Sequence, residues 1–179
     1  WWESFLDAIL GRDYLALGDM DRSWFYCQTL FEREKNHPNG GIYPLGCQLA
    51  GEIYRLYGEY KKSLAMFAKG KDSQPANFQS LECLFYYASM LGEIYPESAR
   101  KMLEELQIIA SEGGLRLITL ETRVGLFSVR ATPENYEDQV KELEALKKDL
   151  DESGFASTQF MVDEAQGRVA EKLGKREEA

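Results

Sequence analysis

The sequence predicts an all-α chain built from antiparallel helical hairpins, about nine helices in all. Three observations predict it. Apolar residues recur at spacings of three and four along most of the chain, the stripe of a helix that buries one face. Glycines punctuate that stripe at Gly18, Gly58, Gly92 and Gly174. Strand-like alternation appears nowhere that the flanking helical pattern does not outvote it.

Taken in order, residues 4–17 carry Phe5, Leu6, Ile9, Leu10, Tyr14 and Leu17 on one stripe. Gly18-Asp19-Met20-Asp21 breaks it. A second helix runs over 21–35, with Asp21 expected as its N-cap. Asn36 to Gly41 is the clearest loop. The most informative stretch is Cys47 to Pro75. It reads as helices over 43–57 and 60–72, turned at Gly58 and stopped by Pro75. A third pair spans 76–91 and 96–111, with Pro96 in the first helical turn, where its missing N–H is not needed. A fourth spans 115–130 and 133–153. Its second helix is expected to start at Thr132-Pro133-Glu134, a capping residue, a proline and an acid. Residues 115–124 are rich in β-branched side chains and would read as a strand in isolation. A ninth helix covers 156–173.

The 179 residues suit one domain or one continuous array over 1–179. A net charge of −9 argues against a nucleic-acid footprint and against a surface drawn to anionic lipid. No stretch is apolar for long enough to span a membrane. Cys27, Cys47 and Cys83 are scattered, fall on helical faces and form no C-x-x-C pair, which fits a reducing, cytoplasmic setting. The chain opens on Trp1-Trp2-Glu3, without Met or a basic leader, and is expected to be a piece of a longer protein. Trp1 and Trp2 are expected to pack on a preceding helix or on Trp24.

An internal register joins the hairpins. Leu10-Gly11 and Tyr14 precede Gly18 by eight, seven and four residues, and Ala50-Gly51 and Tyr54 precede Gly58 by the same amounts. Gly167 and Ala170 stand seven and four residues before Gly174. A small residue in the first helix lets the second approach closely. Ser63 and Ala179, five residues past their turn glycines, are again small at the crossing. Phe67 fills the core behind it.

On these residues the chain resembles the tetratricopeptide repeat family, whose unit is a helical hairpin of about 34 residues. The central repeat matches at Gly51, Tyr54, Gly58, Tyr60, Phe67 and Pro75. It departs at Cys47, Ala50, Ser63 and Gly70, where the family favours tryptophan, leucine and two alanines. The repeats fall at about 3–38, 43–75, 76–114, 115–154 and 156–179, the last incomplete. Several exceed the family's length, which is also similar to the divergent C-terminal repeats of large bacterial signalling ATPases and transcriptional regulators. The resemblance implies a right-handed superhelix whose first helices line a concave, partner-binding face. Carried onto this chain, that face is Arg12 and Leu15, then Gln48, Glu52 and Arg55, then Glu82 and Tyr86. Thr122, Leu126 and Arg130 follow, and last Arg168 and Glu171. Tyr86 is expected to be the exposed ring of the run Leu84 to Tyr87.

Nothing in the sequence assembles into catalytic machinery. His37 is the one histidine and reads as a solvated loop residue. No metal-ligand set accompanies it, no P-loop follows a strand, and no serine sits in a nucleophile elbow. Between Glu134 and Glu152 lie eight acidic residues and three lysines, read as a solvated outer helix with pairs such as Glu144–Lys148. The expected function is a non-catalytic scaffold, without cofactor, that binds a protein or peptide or associates with itself. The alternative is the ligand-sensing or regulatory region of a signalling ATPase or transcriptional regulator.

Overall fold

The computed structural model describes residues 2–38, 41–73, 77–153 and 156–175, with the helical backbone alone over 150–153 and 156–160. Among the described residues there are nine α-helices and no strand: α1 (Trp2–Ala16), α2 (Met20–Asn36), α3 (Tyr43–Leu56), α4 (Tyr60–Lys71), α5 (Phe78–Leu91), α6 (Pro96–Glu112), α7 (Arg116–Arg130), α8 (Tyr136–Ser153) and α9 (Ala156–Lys172). Neighbours in sequence pack on one another, as in helical repeats. The chain divides into two compact units, Trp1–Tyr87 and Ala88–Ala179, with the border inside α5.

In the first unit α1 packs on α2 and α3, and α3 packs on α4. Cys27, Leu30, Leu45, Leu49, Ala50 and Ile53 form the centre of its core. The α3–α4 turn is closed at Gly58. Gly58 takes φ 72°, its N–H donates to the Arg55 carbonyl at 3.0 Å, and the Glu59 N–H donates to the Tyr54 carbonyl at 2.9 Å. This pair of bonds is the Schellman closure, which needs a left-handed residue at the glycine position. Gly18 closes the first hairpin in the same way, onto Leu15 and Tyr14. The tyrosine four residues before each glycine is therefore the residue whose carbonyl seals the turn. No atom would crowd a Cβ at Gly58, so backbone conformation alone asks for glycine there.

Gly51 is required for the opposite reason. A Cβ built on it would lie 2.5 Å from the Phe67 ring. Phe67 is fully buried and lies on the bare α3 backbone. Beside it, Ser63 Oγ donates to the Gly51 carbonyl at 2.7 Å, pinning α4 to α3. Gly70 follows the same logic, since a Cβ there would meet Cys83 Sγ at 2.4 Å and Cys47 Cβ at 3.0 Å. The Cys83 sulfur from α5 thus fills the space that a side chain at position 70 would occupy.

In the second unit α7 packs on α6, α8 and α9, around Leu120, Val124, Phe127, Leu143, Val162 and Val169. The β-branched run is helical. Thr119 and Thr122 turn their hydroxyls back onto the carbonyls of Leu115 and Ile118, at 3.0 and 2.5 Å, which satisfies them inside a helix.

Several expectations are corrected. The N-cap of α2 is Asp19, whose side chain accepts from the Arg22 N–H at 3.1 Å, because the Gly18 turn delivers the chain two residues earlier than the Asp21 cap supposed. Helix α8 starts at Tyr136. Asn135 accepts from the Thr132 N–H at 2.7 Å and donates to the Arg130 carbonyl at 3.1 Å, holding 132–135 as a turn. Gly92 ends α5 without a left-handed φ, and its smallness accommodates Val129, 2.8 Å from a Cβ placed there. Of the two settings expected for Trp2, the one on Trp24 is not found: Trp24 packs on Tyr54, and Trp2, 73% exposed, meets Phe5 edge-on. Glu144 and Lys148 form no ion pair; Lys147 instead pairs with Asp163 at 2.6 Å. Trp1, Pro75 and Ala179 lie outside the described residues.

Two substitutions measure the α3–α4 crossing. Gly51→Leu overpacks it and should lower unfolding free energy by about 1–3 kcal/mol. Phe67→Ala opens a cavity and should cost about 3–5 kcal/mol. Urea unfolding followed by circular dichroism reads both.

Candidate functional site

Four of the residues expected to line a binding face meet in the first unit. Arg12 comes from α1, Gln48 and Glu52 lie one turn apart on α3, and Glu82 is on α5. Arg12 Nη2 donates to Glu52 Oε1 at 3.2 Å. Gln48 sits between charges of opposite sign. Its amide is satisfied when its oxygen accepts from Arg12 Nη2 at 2.7 Å and its nitrogen donates to Glu82 Oε2 at 3.2 Å. The order is Glu52, Arg12, Gln48, Glu82, across three helices that are not consecutive in the chain.

Each member keeps a different share of solvent. Gln48 and Glu82 are buried, at 2% and 6% exposed. The Glu52 side chain is 14% exposed and that of Arg12 is 41%. Burial opposes the charge on Arg12, but the fields of Glu52, Tyr86 and Glu82 outweigh it and hold the guanidinium charged more firmly than usual. Glu82 is held above the ordinary carboxylate value, chiefly by burial, with Arg12 pulling the other way and Glu52 adding to the rise. A neutral amide and a shared cation do not fully replace its water.

Tyr86 is half-buried rather than exposed. It stacks on Phe67 with ring centroids 5.3 Å apart, and Phe85 meets it edge-on. Arg55, farther along α3, is also half-buried, and its Nε is buried without a hydrogen-bond partner. Leu15 belongs to the core of the first unit. A hydrophobic residue on a first helix is drawn to the neighbouring helix, not to a partner.

The remaining expected residues lie in the second unit. Thr122 is fully buried and Leu126 is 3% exposed, so neither presents a surface. Arg130 is exposed and donates to Glu104 of α6 at 2.7 Å. Arg168 is exposed and lies 3.9 Å from Glu164; Glu171 is exposed. A cavity of about 110 Å³ opens over α7. Leu126 and Phe127 line it, with Gln107 of α6, Arg123 and Arg130 of α7, and Gln139 and Glu142 of α8 around them. Gln107, Arg123, Gln139 and Glu142 were not among the expected residues. The one sequence signal was Arg123 and Arg130, seven apart and hence on one face of α7.

No protein-family model, curated protein or solved structure matches the chain. Among the described residues no group of three or more His, Cys, Asp or Glu side chains is placed to hold a metal ion. No described helix is long and apolar enough to cross a membrane.

The three cysteines gather in the first unit, each fully buried. Cys27 Sγ donates to the Gly46 carbonyl at 3.6 Å and Cys83 Sγ to the Pro44 carbonyl at 3.5 Å. Burial pushes the Cys27 and Cys47 thiols up to about 12, and Cys83 is raised for the same reason. Thiolate is the reacting form, so native protein at pH 8 should resist a thiol reagent. All three cysteines should react on unfolding in urea. Rapid modification of any of them in the folded chain would contradict this packing.

Proposed function

We propose that this chain is a non-catalytic interaction module, of tetratricopeptide type, that captures a peptide or protein segment on the face shared by α1, α3 and α5. One observation carries the proposal. Residues from three separate helices converge on a single polar network whose cation, Arg12, remains 41% exposed. A guanidinium offers five N–H donors in a fixed fork, of which the network engages those of Nη2. Buried polar groups of this kind hold geometry well when their partners are complete. Arginine is also among the residues that most often anchor a protein interface. The resemblance of the central repeat to a peptide-binding family supports the same reading.

A second reading has one observation in its favour. The cavity over α7 combines an apolar floor with two arginines and two amides, which suits a small ligand of the kind a regulatory sensor region would bind.

Selection from a random peptide display library against the whole chain tests the first reading. Selected peptides should share a motif, and Arg12→Ala should weaken their binding at least tenfold while Arg168→Ala leaves it unchanged. Peptides that bind both variants as well as the parent would contradict the assignment of this face.

A further inference from the structure

The α1–α3–α5 network sets one permanent cation against two carboxylates. Glu52 lies against Arg12 at 3.2 Å. Glu82 is the more deeply buried acid, and its direct partner is the neutral Gln48 amide. The groups that face Glu82 are Arg12 from α1, Gln48 and Glu52 from α3, and Cys83 beside it on α5. From α4, Phe67 and Gly70, which do not titrate, pack on α5, and Lys71 places its ammonium 5.4 Å from the centre of the Tyr87 ring.

We infer that Glu82 is a proton-operated charge switch on this face: it takes up a proton in mildly acidic solution, and the network passes from net negative to neutral without coming apart. The geometry allows the change. A protonated Glu82 keeps a carbonyl oxygen that accepts from the Gln48 amide, and Arg12 keeps Glu52. No hydrogen bond described above has to break, and the proton comes from solvent. Burial already holds the Glu82 carboxyl above its ordinary value of 4.5, with Arg12 opposing and Glu52 reinforcing the rise. Ionised, the face carries a surplus negative charge and attracts cationic groups. Protonated, it loses that attraction.

The sign follows from proton linkage. Below 4.5 the group is protonated in both folded and unfolded chains, and its contribution to stability is fully present. As pH rises from there through the folded value, the native state binds more protons than the unfolded state, and stability falls.

Carbon-13 NMR of the glutamate carboxyls in the whole chain, titrated with acid, tests this. The carboxyl resonance linked by through-bond correlation to Glu82 should titrate with a midpoint above 4.5. The unfolding free energy of Glu82→Gln should lose that pH dependence over the same window. A Glu82 midpoint at or below 4.5 overturns the inference, and so do parallel stability profiles for parent and variant. The NMR titration needs no variant, so the inference stays testable if Glu82→Gln fails to fold. It is also independent of whether any peptide is captured.

Discussion

The first unit depends on a missing side chain. Gly51 leaves the α3 backbone bare, the Phe67 ring lies on it, and Ser63 bonds to the Gly51 carbonyl at the same crossing. Phe67 in turn stacks with Tyr86. That stack helps to seat α5, and α5 brings Glu82 to Gln48 and Arg12. A chain of close contacts therefore runs from one glycine to the polar network. Protein interiors are packed densely enough that a shift at one end of such a chain is felt along it.

The network itself has two roles that need not conflict. Four polar groups from three helices, joined by hydrogen bonds, fix the lateral register of α1, α3 and α5. An apolar cluster would allow more sliding, because its contacts are not directional. The same arrangement leaves Arg12 at the surface with Glu52 beside it. What distinguishes this site from an ordinary surface ion pair, which contributes little, is the burial of Gln48 and Glu82 behind it. The second unit offers no equivalent among the expected residues. Its arginines pair outward, Arg123 with Asp149 and Arg130 with Glu104, and its cavity is a feature of helix placement more than of any motif.

Helix spans and hairpin turns were legible in the sequence because they are local. The Gly18 and Gly58 turns are set by a few residues, and the tyrosine in each is explained by the carbonyl it contributes. Local reading also has a limit of two or three residues, as Asp19 in place of Asp21 and Tyr136 in place of Thr132-Pro133 show. The candidate face was legible only in part. Counting along first helices selected Arg12, Gln48, Glu52 and Glu82, which do meet. The same count selected Leu15, Thr122 and Leu126, which are buried outside that network, and it did not foresee that Gln48 and Glu82 are buried within it, because register along one helix does not say which neighbour covers it. The cavity over α7 escaped for a related reason: its polar residues come from α6, α7 and α8 and share no spacing. Cys83 beside Gly70 shows how a glycine inside a helix becomes intelligible only when the third helix is in place.

A double-mutant cycle on Gly51→Ala and Phe67→Leu tests most directly the claim that this crossing organises the first unit. If the ring lies on the bare backbone, the smaller residue at 67 makes room for the added methyl group. The combined loss in urea unfolding should then fall short of the sum of the single losses by about 1 kcal/mol or more, as expected for residues in contact. Strictly additive losses would mean that Gly51 and Phe67 do not depend on each other, and would contradict the account.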